Sequence, residues 1–241
     1  MSRVAVLGEP RLWIGVLICM VVTFVLINVR KLQPNADENY GRLDYSLGLL
    51  KQEKERALCL VMTSRGSLST KARVVINTWA RHCTKVIFIS SETDSQFPIE
   101  GVRVDVSREY LTAKTMQAFR YIYENHFDDA DWFMKADDDT YIILENLRYF
   151  LTSQNKSEPV FFGHHFKSIV KQGFYSGGAG YVLSKEALRR YGEKGHDPKL
   201  CRPDGAGEDV AFGRCMENLG VRTVNTTDAS GGADSIVFAP G

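Results

Sequence analysis

Three consecutive aspartates, Asp137 to Asp139, follow the apolar run WFM and precede the run TYIIL. Side chains alternate along an extended segment, so Asp137 and Asp139 are expected on one side and Asp138 on the other. Two adjacent carboxylates repel unless a cation lies between them, and carboxylate oxygens suit Mg²⁺ or Mn²⁺. The alternative is a solvated turn in which an aspartate caps the next helix. The apolar flanks favour a metal site.

The sequence contains no Walker-type glycine loop. A metal at the triplet is therefore expected to support a diphosphate leaving group, as in nucleotide-sugar transferases. A second candidate segment is YSGGAGYVLSKEALRRY, residues 175–191. Its glycines Gly177, Gly178 and Gly180 either let a ligand approach the backbone or only form a tight bend, and the sequence favours neither.

An acidic pair, Glu208 and Asp209, lies at the first turn of a predicted helix whose apolar face contains Phe212, Cys215 and Met216. Acids at this position complement the helix dipole. One of them would alternatively be a general base that deprotonates an acceptor hydroxyl. The spacing does not distinguish these interpretations.

Strand-like and helix-like segments alternate from Ala57 onward, which predicts an α/β fold with a largely parallel sheet. The predicted strands are ALCLVMT (57–63), KVIFISS (85–91), GVRVDVS (101–107) and DWFMKA (131–136). The predicted helices include STKARVVINTWARHC (69–83), EYLTAKTMQAFRYIYENH (109–126) and ENLRYFL (145–151). The triplet thus follows the carboxyl end of a strand, the edge at which open α/β sheets bind ligands.

The chain of 241 residues carries 30 basic and 29 acidic side chains, a net charge of +1. This balance gives no basis for nucleic-acid binding. The uncharged stretch LWIGVLICMVVTFVLINV, residues 12–29, is about 27 Å long as a helix, enough to span a bilayer. We expect residues 1–11 to be a cytoplasmic tail, 12–29 an uncleaved transmembrane signal anchor and 30–56 a stem.

Four cysteines outside the anchor are consistent with two disulfides, although four buried thiols are the alternative. N-glycosylation sequons begin at Asn155 and Asn225. Together with the anchor, these features predict a lumenal body in the oxidising secretory pathway.

Three motifs carry a family resemblance: DADWFMKADDDTYIILENLRYFL, VKQGFYSGGAGYVLSKEALRR and EDVAFGRCMENLGV. Across residues 59–221 they resemble the core 1 β1,3-galactosyltransferases, the animal glycoprotein-N-acetylgalactosamine 3-β-galactosyltransferases. The resemblance implies a single-pass type II Golgi membrane protein with a GT-A fold, a Rossmann-like mixed sheet. The implied reaction transfers galactose from UDP-galactose to the 3-hydroxyl of GalNAc on Ser or Thr of a glycoprotein, with inversion and with Mn²⁺.

The resemblance also implies roles for individual residues. Asp137 and Asp139 correspond to the metal-binding aspartates, with Asp139 the more direct ligand, and Asp209 corresponds to the catalytic base. The donor-binding residues that we assign with them are Lys114, Asp137, Asp138, Gly177 and Gly178. The implied disulfides are Cys59–Cys83 and Cys201–Cys215.

The expected partners are UDP-galactose, a GalNAc-bearing glycoprotein and the membrane, and a homodimer is left open. Family members continue beyond the matching region and include a histidine that completes the metal shell, whereas this sequence has no histidine after His196. Residues 57–227 are therefore expected to form an incomplete lumenal transferase domain, and residues 228–241 a divergent tail.

The rival hypothesis is a non-catalytic family member that acts as a chaperone or regulator of the full-length transferase. The known chaperone of this kind lacks the aspartate triplet. This chain has the triplet together with Asp209, which favours the enzyme.

Overall fold

The structure is a computed structural model that describes residues 20, 55–90, 99–101, 110–203 and 207–226. The architecture below belongs to the unit Lys51–Gly241. The predicted cytoplasmic tail, the anchor apart from Met20, the stem up to residue 54 and the divergent tail lie outside the described residues. No helix within the described ranges combines the length and the apolar character that crossing a bilayer requires.

The described residues form nine strands. In chain order these are β1 Ala57–Met62, β2 Lys85–Ser90, β3 Ile99–Gly101, β4 Trp132–Asp137, β5 Val160–Gly163, β6 His165–Phe166, β7 Phe174–Tyr175, β8 Tyr181–Ser184 and β9 Arg222–Thr223. Seven of them form one sheet in the order β3-β2-β1-β4-β8-β5-β9, and β6 pairs with β7. The first four strands of that order are parallel, while β8 runs antiparallel to both of its neighbours. The sheet is therefore mixed, with β4 at its centre.

Strands β1 and β4 are buried along almost their whole length, which explains their nearly continuous apolar sequences. The α-helices in the described ranges are α1 Arg73–Asn77, α2 Leu111–His126, α3 Leu144–Leu151, α4 Lys185–Lys194 and α5 Glu208–Asn218. The sequence predicts Met116, Phe119, Ile122 and Tyr123 as the apolar stripe of α2; the first three are buried and Tyr123 is half-buried. The Phe119 ring stacks 5.0 Å from that of Phe212, which packs α5 against α2.

The prediction of one continuous helix over residues 69–83, opened by a serine or threonine cap, is wrong. The segment is π-helical over Leu68–Ala72, α-helical only in α1, and 3-10 helical over Ala80–His82, and no serine or threonine side chain caps these pieces. The helix breaks at Thr78, and the next residue, Trp79, turns into the core, where its indole N–H donates to the Thr140 carbonyl at 2.9 Å. Three β-branched residues in α1 also weaken its helical preference.

Other predictions fall close to the structure. The third strand lies at β3, earlier than the predicted 101–107, and residues 102–109 are outside the described ranges.

Both disulfide pairings are confirmed, since Cys59 bonds Cys83 and Cys201 bonds Cys215. The sequon residues Asn155 and Asn225 are exposed, and their glycosylation stays a prediction.

The end of the predicted stem is bonded to the start of β4. The Arg56 guanidinium donates to both carboxylate oxygens of Asp131, each at 3.1 Å. The Trp132 indole N–H donates to Glu55 at 2.8 Å. The chain thus enters the folded unit at the amino edge of the sheet, at the end of β4 opposite to the aspartate triplet.

Candidate active site

The aspartate triplet lies at the carboxyl edge of the sheet, as the sequence predicts. Strands β1 and β4 are neighbours in parallel register, and Met62 pairs with Asp137 where both strands end. The residues that follow, Thr63 and Asp138, therefore lie side by side. The Thr63 hydroxyl donates to Asp138 Oδ2 at 2.8 Å.

The predicted extended alternation through the triplet is wrong, because the chain turns after Asp137. The Thr140 amide donates to the Asp137 carbonyl at 3.1 Å, and the Thr140 hydroxyl accepts the Asp137 amide at 3.2 Å. This turn directs the carboxylates to different partners. Asp137 contacts Lys135, whereas Asp139 contacts Lys71, each at 2.8 Å.

A single ammonium lies between two carboxylates of the triplet. Lys71 Nζ is 2.8 Å from Asp139 Oδ2 and 3.8 Å from Asp138 Oδ1. Its hydrogen bond lowers the pKa of the Asp139 carboxyl and raises the pKa of Lys71 itself. Asp139 has a side chain that is 64% exposed, so both charges can be reached from solvent. Two carboxylates already converge on one cation at this point.

A cavity of about 240 Å³ adjoins the end of β4 and brings most of the predicted site residues together. Predicted residues that line it are Lys114, Asp137, Gly177, Gly178 and Asp209. Lys135 and Glu208 also line it, whereas Asp138 and Asp139 are not among its lining residues. The cavity thus joins the end of β4, the start of α2, the glycine turn and the start of α5.

The two adjacent glycines have different surroundings. Gly177 is buried, and its carbonyl accepts Lys135 Nζ at 3.0 Å. A Cβ at Gly177 would lie 2.4 Å from Glu208 Oε2, whereas a Cβ at Gly178 would meet no atom within 4 Å. Packing against Glu208 therefore explains Gly177, and Gly178 leaves open space beside the cavity.

The two carboxylates of the acidic pair have different hydrogen-bond partners. Glu208 accepts the Tyr181 hydroxyl at 2.7 Å and lies 3.7 Å from Lys135 Nζ. Burial and the Glu208 carboxylate raise the pKa of the Tyr181 hydroxyl well above its usual range, so it stays a donor. Asp209 Oδ1 accepts the Val210 amide at 2.9 Å, which fixes the orientation of a carboxylate on the cavity wall.

Lys114 supplies positive charge at the wall formed by α2. Its Nζ donates to the Thr63 carbonyl at 2.7 Å, which connects α2 to the end of β1. Burial lowers the pKa of Lys114, although the nearby Asp137 and Asp138 partly oppose this. Lys114 therefore lies on the cavity wall, and its role in donor binding stays a prediction.

Sequence reasoning missed Lys135, Lys71 and Thr63 as members of the site. Lys135 had a recognisable signal, because a charged residue stands inside a central strand that is otherwise apolar. The sequence gives no such signal for Lys71 or Thr63, since their contacts with the triplet span 68 and 75 residues of sequence.

Comparisons with known proteins agree with the predicted resemblance. A model of the family described as Fringe-like matches residues 53–229. The Xenopus laevis protein glycoprotein-N-acetylgalactosamine 3-beta-galactosyltransferase 1 is 44% identical over 185 residues, which cover 77% of this chain. A mouse beta-1,3-glucosyltransferase is 27% identical over 70% of the chain, and human chondroitin sulfate synthase 3 is 31% identical over 66%.

The matched regions are only parts of these relatives. The chain spans 51% of the Xenopus protein, 35% of the mouse protein and 20% of the human protein. The activities in their names therefore belong to longer proteins.

Proposed function

The chain belongs to the Fringe-like family, and on that premise we propose that it is a galactosyltransferase of the core 1 type. The proposed reaction transfers galactose from UDP-galactose to the 3-hydroxyl of GalNAc linked to Ser or Thr of a glycoprotein. The proposed setting is the Golgi lumen, with residues 12–29 as a type II anchor. The observation that carries the proposal is the cavity at the carboxyl edge, where Lys114, Asp137, Gly177, Gly178 and Asp209 meet.

The oxygen donors of the triplet fit a hard divalent cation such as Mn²⁺. Lys71 shows that Asp138 and Asp139 can share a cation. No three His, Cys, Asp or Glu side chains are grouped as a metal shell within the described ranges. We therefore propose that two carboxylates hold the ion and that diphosphate oxygens and water supply the other ligands. The resemblance implies Asp137 and Asp139 as this pair, whereas the shared contact with Lys71 favours Asp138 and Asp139. When bound, the ion would neutralise charge on the departing diphosphate.

Asp209 is the residue proposed to move the proton. Its Oδ1 is oriented by the Val210 amide, and Oδ2 would accept the proton of the acceptor 3-hydroxyl. The acceptor oxygen then forms a bond to the anomeric carbon as the bond from that carbon to the UDP oxygen breaks, which inverts the configuration. Glu208 fits this role less well, because its oxygens face Tyr181 and Lys135.

Two substitutions test the separate roles of these carboxylates. Asp139→Ala should abolish Mn²⁺-dependent UDP binding in titration calorimetry, because it removes a proposed ligand. Asp209→Asn should retain that binding and lower kcat for a GalNAc-Ser/Thr peptide by about 10²- to 10⁴-fold, the usual contribution of a general base. Asp128→Asn is the matched control, since the Asp128 side chain is 91% exposed and contacts Lys185.

Unchanged UDP binding by Asp139→Ala would contradict the metal assignment. Full transfer by Asp209→Asn would remove Asp209 as the base. Absence of transfer by the unmodified protein, combined with rescue of a full-length transferase on co-expression, would support the chaperone hypothesis instead.

A further inference from the structure

Lys135 has a buried ammonium group that lies in the cavity between Asp137 of β4 and Glu208 of α5. Its side chain is 4% exposed, and it lies two residues before Asp137, on the same face of β4. Nζ contacts Asp137 Oδ1 at 2.8 Å and the Gly177 carbonyl at 3.0 Å. On its other side it faces Glu208 Oε2 at 3.7 Å. One charge thus contacts the strand, the glycine turn and the helix that carries Asp209.

The buried charge of Lys135 is balanced by two carboxylates of the cavity. Its ammonium contacts Asp137 Oδ1 at 2.8 Å and faces Glu208 Oε2 at 3.7 Å. Lys135 in turn stabilises the two carboxylates, because Asp137 and Glu208 would repel each other across the cavity without a cation between them. Removing one partner of a buried charge cluster leaves the others uncompensated.

The start of α5 depends on Glu208 for its position. The N-cap residue is Gly207, which has no side chain to cap the helix, and its φ is +97°. Glu208 follows directly, and it is held by the buried Tyr181 hydroxyl at 2.7 Å and by Lys135. Asp209 is the next residue, so the anchoring of Glu208 determines where the Asp209 carboxylate lies.

We propose that Lys135 and Glu208 are positioning residues that set the distance between the donor-side carboxylate Asp137 and the base Asp209. This inference rests on the proposed function, since it assigns a task within that reaction. Lys135 orients Asp137 directly and Asp209 through Glu208. Glu208 directly precedes Asp209, whereas Lys135 contacts Asp137 itself, so substitutions at the two positions have different consequences.

Glu208→Gln is the decisive variant, because glutamine retains an acceptor for Tyr181 but loses the charge that faces Lys135. We expect the Kd for UDP with Mn²⁺ to stay within about twofold while kcat falls by about 10- to 100-fold, a loss typical of residues that orient a functional group. Lys135→Met should weaken UDP binding and also lower kcat. In the double variant the two kcat losses should be less than multiplicative, because the residues act through one contact.

A second measurement does not depend on turnover. Amide hydrogen exchange should be faster across residues 208–211 in both variants than in the unmodified protein, with β1 and β4 still protected. Lys135 combines its ion pairs with the Tyr181 ring, whose centroid is 5.9 Å from Nζ. Lys185→Met is the matched control, because Lys185 combines an ion pair to Asp128 at 2.9 Å with the Phe127 ring at 4.7 Å. It lies at the other end of β4, so it should change neither the exchange at α5 nor kcat.

The outcomes separate the two proposals. An unmodified protein that transfers no galactose refutes the proposed function, and the positioning role is lost with it. An active unmodified protein whose Glu208→Gln variant has normal kcat, or normal exchange at residues 208–211, refutes the positioning role alone. Equal losses of UDP affinity and kcat in Glu208→Gln would also overturn it, since they would indicate general disruption of the cavity.

Discussion

At the scale of single residues, the site is organised by contacts between opposite charges, one pair close in sequence and the other distant. Asp137 has Lys135 and Asp139 has Lys71, so each of these aspartates has its own cation. The like charges that make the triplet conspicuous in the sequence are thereby partly neutralised before any ligand binds. A divalent ion at Asp139 would have to displace the half-exposed Lys71, and solvent screening makes an ion pair this exposed a weak competitor.

Gly177 and Gly178 offer a matched pair of substitutions. A methyl group at Gly177 would clash with Glu208 Oε2, while one at Gly178 would enter open space. We expect Gly177→Ala to lower the free energy of unfolding by about 1–3 kcal/mol, the usual effect of overpacking, and to lower kcat. Gly178→Ala should change that free energy by no more than about 0.5 kcal/mol. Urea denaturation and transfer assays measure both, and equal effects of the two variants would contradict the packing described here.

The sequence predicted Lys114, Asp137, Gly177, Gly178 and Asp209, which meet in the cavity, but it missed Lys135 and did not show how these residues are held. Lys114, Asp137 and Asp209 were found from strand ends, helix starts and family motifs, all of which are local signals. The turn at Asp138 and the contact with Lys71 depend on tertiary packing of a distant segment. No spacing rule along one chain predicts which lysine will face which carboxylate.

At the scale of secondary-structure elements, prediction succeeded where burial produces a strong pattern. Strands β1, β2 and β4 are runs of apolar residues, and α2 and α5 have clear apolar faces, so all five lie where the sequence placed them. The helix expected over residues 69–83 failed because Trp79 bonds to Thr140 across the sheet edge. There a tertiary contact outweighs local helical preference.

Helix α4 provides a pH-dependent test. Hydrogen bonds from Arg189 and Arg190 lower the pKa of Glu186 from 4.5 to about 2. The folded state therefore binds the proton less readily than the unfolded state, so the stabilisation is complete above pH 4.5 and is lost as the pH falls toward 2. Glu186→Gln should reduce the free energy of unfolding at pH 7 by about 1 kcal/mol, since the arginines are partly exposed.

Urea denaturation at a series of pH values measures this effect. The difference between Glu186→Gln and the unmodified protein should narrow below pH 4.5. Glu124→Gln is the control, because the Arg120–Glu124 pair is longer, at 3.7 Å, and more exposed. A difference for Glu186→Gln that stays constant with pH would contradict the role given to its charge.

At the scale of the whole molecule, the mixed sheet fits a GT-A fold and the Fringe-like family assignment. The parallel half, β3-β2-β1-β4, ends at the triplet, and the antiparallel β8 brings the glycine turn beside it. The sequence predicted the parallel half from its alternating segments. It did not show the direction of β8, because pairing direction depends on how the chain crosses the sheet and not on the composition of the strand.

Asp131 connects the first described residues of the unit to its central strand. The Asp131 side chain is 6% exposed and contacts Arg56 and Lys156 at 3.1 and 3.0 Å. Asp131→Ala should lower the free energy of unfolding by about 1–3 kcal/mol, because it removes charged hydrogen bonds while the partners remain partly solvated. It should also accelerate tryptic cleavage after Arg56. Asp128→Ala is the control, because the Asp128 side chain is 91% exposed. It should change neither the free energy of unfolding nor the rate of cleavage after Arg56.

Equal cleavage of the Asp131 and Asp128 variants would show that Arg56 is not held by this contact. Mass spectrometry of a short digestion identifies the cut, and urea denaturation measures the stability.

Glu55 and Arg56 bond to one end of β4, and the aspartate triplet lies at the other end. The strand therefore separates the attachment point of the preceding chain from the triplet. Its six residues, Trp132–Asp137, extend about 17 Å at 3.3 Å per residue. A stem that continues ahead of Glu55 would be attached at the end of β4 opposite to the cavity. The proposed glycoprotein acceptor could then reach the cavity without passing the point of attachment.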